Sequence, residues 1–272
     1  MRAALVAAAA IACIAAGDAG VAPVPVPSPS PSPSPIPADT TQLVTGVIDD
    51  WSSTTATLRL WRRGSSSSGG GGGNVGGSDG AWAPVGAAWP GVIGYAGAAW
   101  GDGLHGSAAP PGEHGPTKRE GDGASPAGAF VLDTALGYAA SPPKGAALPY
   151  TQSLATTRCV DDPASPHYGQ IVDDARIARD WRSSEVMRRG DELYTWVVTV
   201  AHNAAHATGG GSCIFLHAWR DARSTTTGCT AMAQPALAHL VGALDAAAHP
   251  VYVLLPRAEY RALAHAWGLP AL

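Results

Sequence analysis

Short apolar stretches separated by glycine, proline and polar residues recur along most of this chain. Residues 42–48 and 56–61 each predict a strand, and in the second one Leu58 and Leu60 alternate with polar neighbours. Further short strands are expected at residues 81–85, 89–95, 193–200, 213–217 and 251–255. Many short strands with turn residues between them are typical of a mainly β domain.

Helical spacing of apolar residues is clear only near the end of the chain. Leu237, Leu240 and Leu244 recur at intervals of three and four, and residues 257–267 predict a closing helical tail. Residues 180–187 predict a short helix or turn, and Cys229 is expected to open a turn into the helix that follows it. The pattern therefore favours a mainly β fold with one or two short helices.

The first residues have the composition of an export signal. A positive start at Arg2 precedes an apolar run over residues 3–16, and small residues suitable for cleavage follow, which predicts a signal peptide over residues 1–19. The run is too short for a transmembrane span. A lipid-anchored start at Cys13 and an alanine-rich disordered start are the alternatives. The expected location is secreted or extracytoplasmic, in a cell wall or periplasm.

Two low-complexity segments set the domain limits. Residues 20–40 are rich in proline and serine and predict a semi-rigid extended linker, because alternating proline feeds neither a sheet nor a helix. Residues 64–80 are a serine and glycine tract that predicts a flexible loop. A single folded domain is therefore expected over residues 41–272, with this loop inside it.

Composition narrows the possible partners. Charged residues make up 14% of the 272-residue chain, the formal net charge is -4, and no basic block occurs, so we expect no nucleic acid partner. The glycine-rich residues 101–128 fit neither a dinucleotide fingerprint nor a P-loop. The acidic and histidine side chains of residues 161–174 have no recognisable metal spacing. We expect a monomer that needs no cofactor and no metal.

Residues 209–232 carry the pattern of a thiol nucleophile and its base. His217 ends an apolar run, a loop of small polar residues follows, and Cys229 comes directly after Gly228. A cysteine attacks as the thiolate, so it needs an imidazole nearby to take its proton. A glycine before the cysteine allows a sharp turn that leaves backbone N–H groups of Gly228 and Cys229 to face an oxyanion.

Cysteine count separates structural from reactive thiols. Removal of the export signal leaves Cys159, Cys213 and Cys229, and an odd count in an oxidising compartment implies one pair and one free thiol. Because Cys229 has the surroundings of a nucleophile, we predict a disulfide between Cys159 and Cys213.

The motifs around these residues resemble the L,D-transpeptidase catalytic-domain (YkuD-like) family, in its shorter extracytoplasmic branch. The resemblance covers roughly residues 42–260 in the right order. Its motifs are Lys118-Arg-Glu-Gly-Asp-Gly-x-Ser-Pro-Ala-Gly128-x-Phe130, Cys159-Val-Asp-Asp-Pro, the segment 181–187, His202-Asn203, Gly210-x-Ser-x-Ile-Phe-Leu-His217 and Thr226-Thr227-Gly228-Cys229.

The resemblance implies a compact β-sandwich or barrel-like fold and a peptidoglycan substrate. Cys229 would attack the carbonyl between the L-centre of a diamino acid and the terminal D-alanine of a stem tetrapeptide, with His217 as general base. The acyl-enzyme would pass to an amine of a second stem. Transfer to water, which is L,D-carboxypeptidase activity, and a wall-binding module without activity are the alternatives.

Two positions depart from the family pattern. Many members carry arginine two residues after the cysteine, where this chain has Ala231, and Gly169 replaces an expected asparagine. Either another cation meets the substrate carboxylate, with Arg220 and Arg223 as the candidates, or the site favours a different acceptor. The residues expected near the substrate are Arg220, Arg223, Thr227 and His202.

Overall fold

The computed structural model describes residues 34–64 and 80–272. The predicted signal peptide at residues 1–19, the first part of the linker and the interior of the serine and glycine loop lie outside the described residues. The last residues of the predicted linker pack onto the domain. Ile36 is buried in the main core, and the hydroxyl of Ser34 donates to the carbonyl of Trp267 at 2.9 Å. Packing against the domain therefore begins before residue 41.

Fourteen strands and two α-helices make up the described chain, so the prediction of a mainly β fold with short helices is confirmed. The strands are β1 (Gln42–Ile48), β2 (Thr55–Arg62), β3 (Ala83–Val92), β4 (Ala98–Trp100), β5 (Ser125–Val131), β6 (Ala135–Gly137), β7 (Tyr150–Gln152), β8 (Thr157–Val160), β9 (Ile171–Asp173), β10 (Ser184–Val186), β11 (Trp196–Thr199), β12 (Phe215–Ala218), β13 (Thr230–Met232) and β14 (Val251–Pro256). The helices are α1 (Gln234–Ala243) and α2 (Arg257–Trp267), and a 3-10 turn spans Ala246–Ala248.

The strands form one large mixed sheet and one small sheet. The large sheet has eleven strands in the order β4-β5-β14-β1-β2-β3-β13-β12-β11-β6-β7, and the small sheet has the order β10-β8-β9. Strand β14 lies between β1 and β5, and every one of its residues is buried. A strand buried throughout reads as a continuous apolar run, which is why residues 251–255 were recognisable in the sequence.

The two helices cover the large sheet with narrow apolar faces. Helix α1 packs on β11 and β12 and buries Leu237, Leu240 and Val241. Helix α2 packs on β1 and β14 and ends at Gly268, whose positive φ of 64° suits glycine at a helix terminus. Neither helix is long and apolar enough to cross a membrane, and no other helix within the described ranges is.

Several predicted elements differ from the structure. One strand, β3 (Ala83–Val92), with a register shift against β2 between Leu58 and Leu60, takes the place of the two strands predicted at residues 81–85 and 89–95. The prediction of a helix or turn at residues 180–187 was wrong, since residues 184–186 form β10 and pair with β8. Cys229 is followed by the strand β13 before α1 begins. Strands β10 and β13 have three residues each, and pairing with distant partners decides their conformation.

The predicted disulfide between Cys159 and Cys213 is present, and Cys229 is free. The bond joins β8 of the small sheet to the residues that lead into β12. Cys213 has a positive φ of 55°, a conformation that few residues other than glycine adopt. The disulfide therefore fixes an unusual turn immediately before the strand that carries His217.

Reduction of this disulfide should destabilise the domain by about 4 kcal/mol, because it closes a loop with a sequence separation of 54 residues. We expect the urea midpoint of a Cys229→Ala protein, which cannot exchange thiols through residue 229, to fall on reduction. A Cys159→Ala/Cys213→Ala/Cys229→Ala protein should show no effect of reductant. Coinciding midpoints for the oxidised and reduced Cys229→Ala protein would contradict the expectation.

Candidate functional site

Cys229 lies at the start of β13, beside the parallel strand β12. The backbone N–H of Phe215 donates to its Sγ at 3.3 Å, and the thiol donates to the carbonyl of Cys213 at 3.5 Å. Only 5% of the residue is exposed. The thiol is therefore held by the backbone of the neighbouring strand and of the turn before it.

Two hydroxyl groups hold the carbonyl of Cys229. The side chain of Ser125 on β5 donates to it at 3.1 Å, and that of Thr226 donates at 2.6 Å. Ser125 is fully buried and also accepts from the N–H of Gly94 at 2.9 Å. Ser125 belongs to the Ser-Pro-Ala-Gly motif. Its two hydrogen bonds fix the backbone at the candidate nucleophile.

His217 lies two residues after Phe215 on β12, so both side chains leave the same face of the strand. Its Nδ1 is 2.7 Å from the carbonyl oxygen of Ala218, and a carbonyl accepts only, so Nδ1 carries the proton. The Nε2 atom is then the acceptor nitrogen of the neutral ring. His217 is 7% exposed and opposes Ala231 in the register of β12 and β13.

A cavity of about 430 Å³ brings Cys229 and His217 together. Its other lining residues are Tyr95, Glu185, Arg189, Leu193, Tyr194, Trp219, Arg220, Ser224, Thr225, Thr226, Thr227 and Ala231. A smaller cavity of about 110 Å³ also reaches Cys229 and is lined by Lys118, Glu120, Gly121, Asp161, Glu185, Ser212, Cys213, Ile214, Thr227 and Gly228. The larger cavity has two arginines and one glutamate, whereas the smaller has one lysine and three carboxylates. Cys229 thus lines two cavities of different net charge.

Burial keeps both members of the pair neutral. It raises the pKa of the Cys229 thiol above its ordinary value, and the nearby Glu185 carboxylate adds to the effect. It lowers the pKa of His217 to about 4, although the bond to the Ala218 carbonyl opposes the change. At neutral pH the resting pair is therefore a thiol and a neutral imidazole, and proton transfer must accompany attack.

The residues predicted to contact the substrate are only partly brought together. Arg220 and Thr227 line the larger cavity, and both are exposed. Arg223 is not among the residues that line it, and its N–H donates to Asp221. His202 lines a separate cavity of about 650 Å³, which neither Cys229 nor His217 lines.

Both ring nitrogens of His202 bind backbone groups. Its Nδ1 accepts from the N–H of Asp102 at 3.1 Å, and its Nε2 is 2.9 Å from the carbonyl of Gly210. His202 therefore joins two loops, and the structure does not place it at either cavity that Cys229 lines.

Gly228 adopts a φ of 155°, and a Cβ there would come within 3.3 Å of the carbonyl of Ala124. Its N–H, which the sequence assigned to an oxyanion, donates to the hydroxyl of Thr226 at 3.2 Å. This N–H must change its acceptor before it binds an oxyanion.

Sequence reasoning missed Glu185, Tyr194, Arg189 and Lys118 as residues of the site. Lys118 is buried, bonded to Asp122 at 2.5 Å, and lines the smaller cavity. The segments that hold Lys118 and Glu185 carry motifs of the family resemblance, and that was the only signal available for them. No group of three or more His, Cys, Asp or Glu side chains suited to a metal ion occurs among residues 34–64 and 80–272.

The shift at His217 predicts loss of stability in acid. His217 takes up a proton below about pH 6.5 in the unfolded chain but only below about pH 4 in the folded chain. Protonation therefore favours the unfolded state between these two values, so the free energy of unfolding is at its full value above pH 6.5 and falls as pH decreases towards 4. Unfolding free energies at pH 7 and pH 5 should differ by about 2 kcal/mol more in the native protein than in His217→Asn. Equal differences in the two proteins would contradict the prediction. His202 is common to both proteins and cancels.

No model of a known protein family matches this chain, and neither a curated protein nor a solved structure gives a significant match. Membership of the L,D-transpeptidase family therefore stays a prediction that rests on the motifs quoted above. The hydrogen bonds of Cys229 and His217, and the cavity that they share, are observed independently of those motifs and are the structural evidence on which a functional proposal can be based.

Proposed function

We propose that this chain transfers an acyl group from a peptidoglycan stem peptide, or a related wall polymer, through a thioester on Cys229. The observation that carries the proposal is the neutral His217 in the same cavity as the Cys229 thiol, with Nδ1 occupied by Ala218 and Nε2 left as the acceptor. The order of motifs along the chain supports the substrate class.

The first half of the reaction breaks a peptide bond. As Sγ of Cys229 attacks the carbonyl carbon, its proton passes to Nε2 of His217, and the carbonyl oxygen becomes an oxyanion. The C–N bond then breaks, and His217 returns the proton to the departing amine of D-alanine. A thioester and a neutral imidazole remain.

In the second half an amine of another stem attacks the thioester and loses a proton to His217. The C–S bond breaks, and the thiolate regains that proton, so the enzyme returns to its starting state. If water takes the place of the amine, the product is a trimmed stem and the activity is that of an L,D-carboxypeptidase.

Arginine in the larger cavity supports recognition of a carboxylate. Position 231 holds alanine, is buried, and opposes His217 across two strands, so it supplies no charge. Arg220 lines the same cavity and forms no ion pair within the described residues, whereas Arg189 is paired with Asp191 at 3.0 Å. We therefore assign contact with the substrate carboxylate to Arg220.

An extracytoplasmic site of action belongs to the same proposal. Disulfides persist in oxidising compartments, and the chain contains one beside the candidate nucleophile. The predicted export signal supports the same location.

Incubation of the purified protein with muropeptides, followed by mass spectrometry, tests the activity. Transpeptidation gives cross-linked dimers, hydrolysis gives monomers shortened by one D-alanine, and a wall-binding module gives neither. Cys229→Ala should abolish product and His217→Asn should reduce it by about 100-fold or more, since general-base catalysis contributes 10²–10⁴-fold. Full activity in Cys229→Ala would overturn the mechanism.

Arg220→Ala should raise KM about two- to fivefold with little change in kcat, since an exposed ion pair contributes at most about 1 kcal/mol. Arg223→Ala is the matched control, because Arg223 lies on the same loop but does not line the cavity. Equal effects of the two substitutions on KM would contradict the assignment to Arg220.

A further inference from the structure

Glu185 is an acidic side chain beside the candidate nucleophile that the proposed reaction does not use. It lies on β10 of the small sheet, opposite Cys159 on β8, and lines both cavities that reach Cys229. One of its carboxylate oxygens accepts from the hydroxyl of Tyr194 at 2.5 Å. Tyr194 is buried and Glu185 is half-buried, and desolvation raises the pKa values of both groups.

Tyr194 connects this bond to His217. Its ring meets the imidazole edge-on with 5.1 Å between centroids, and it meets the ring of Phe215 in the same manner at 6.0 Å. Phe215 is the residue whose N–H binds Sγ of Cys229. One tyrosine ring therefore touches both the imidazole and the residue that holds the thiol.

His217 needs such a contact because, among the residues that the structure describes, its ring has one hydrogen bond. The bond from Nδ1 to the Ala218 carbonyl fixes one atom of the imidazole and leaves the plane of the ring to be set by packing. A reacting nitrogen must be held closely, since a displacement of about 1 Å can cost 100-fold in rate.

We propose that Glu185 and Tyr194 are positioning residues: the hydrogen bond between them fixes the Tyr194 ring, and this ring holds the His217 imidazole in the plane from which Nε2 takes the thiol proton. This inference rests on the proposed acyl transfer through Cys229. Neither residue exchanges a proton with the substrate, and both act through His217.

Other charged and titratable groups surround the bond and enter its pH dependence. Arg189 lies over the Tyr194 ring at 5.2 Å and pairs with Asp191. The smaller cavity adds Lys118, Glu120 and Asp161, and Cys229 faces Glu185 from β13. Tyr194→Phe and Glu185→Gln retain the shape of the side chain and are therefore the cleanest probes, whereas Glu185→Ala removes the whole carboxylate.

The test is a double-mutant cycle on turnover of muropeptides. Tyr194→Phe keeps the ring and removes the donor, and we expect kcat to fall about 10- to 100-fold with KM unchanged. Glu185→Ala should give a similar loss, and Tyr194→Phe/Glu185→Ala should be no worse than either single variant, because both remove one bond. Glu185→Gln keeps an oxygen that accepts from Tyr194 and should restore most of the activity.

Tyr260→Phe is the matched control. Tyr260 is also buried and donates its hydroxyl, to the carbonyl of Pro270 at 2.8 Å, but it lines neither cavity that reaches Cys229. Its loss should leave kcat unchanged. Additive losses in the cycle, or an unchanged kcat in Tyr194→Phe, would overturn the proposal.

Alkylation of Cys229 by iodoacetamide separates this inference from the proposed function, since it requires no peptide. In the native protein the pH profile of alkylation should depend on His217, and in Tyr194→Phe it should move towards the profile of His217→Asn. If native protein fails to turn over muropeptides but shows these profiles, the proposed function fails while the positioning role stands. A profile in Tyr194→Phe identical to that of the native protein overturns the positioning role.

Discussion

The pairing of β12 with β13 is the constraint on which the candidate site depends. The two strands run parallel, and their register sets His217 on one strand opposite Ala231 on the other, with Cys229 just before the second strand begins. Backbone groups of β12 and the turn before it bind the thiol directly. This pairing places His217 and Cys229, which are twelve residues apart in the sequence, on the wall of the same cavity.

Burial shifts the pKa values of the two members of this pair in opposite directions. It disfavours the charged form of each, the thiolate of Cys229 and the imidazolium of His217, and outweighs the hydrogen bonds from Phe215 and to Ala218 that favour these charges. The cavities beside the pair carry both positive and negative groups. Arg220 lines the larger cavity, and Glu185 lines both cavities.

The sequence specified the elements whose apolar pattern is local and strong. The bounds of β1 and α2 match the predictions, because both bury an uninterrupted or periodic set of side chains. The disulfide followed from the cysteine count together with the surroundings of Cys229, which mark it as the free thiol. Strand β10 could not be predicted, because three residues become a strand only when β8 lies beside them. For the same reason Glu185 and Tyr194 were missed: no local pattern links residue 185 to residue 217.

The position of the disulfide has a consequence for how the chain matures. Before oxidation, Cys159, Cys213 and Cys229 are three thiols of one buried cluster, and only one of their three possible pairings leaves residue 229 free. The folded chain brings Cys159 and Cys213 together through β8 and the turn before β12, while the thiol of Cys229 donates to a backbone carbonyl. Within the folded chain, tertiary structure therefore favours the one pairing that leaves the thiol of the candidate nucleophile free, and the order of synthesis favours the same pairing because Cys159 and Cys213 precede Cys229.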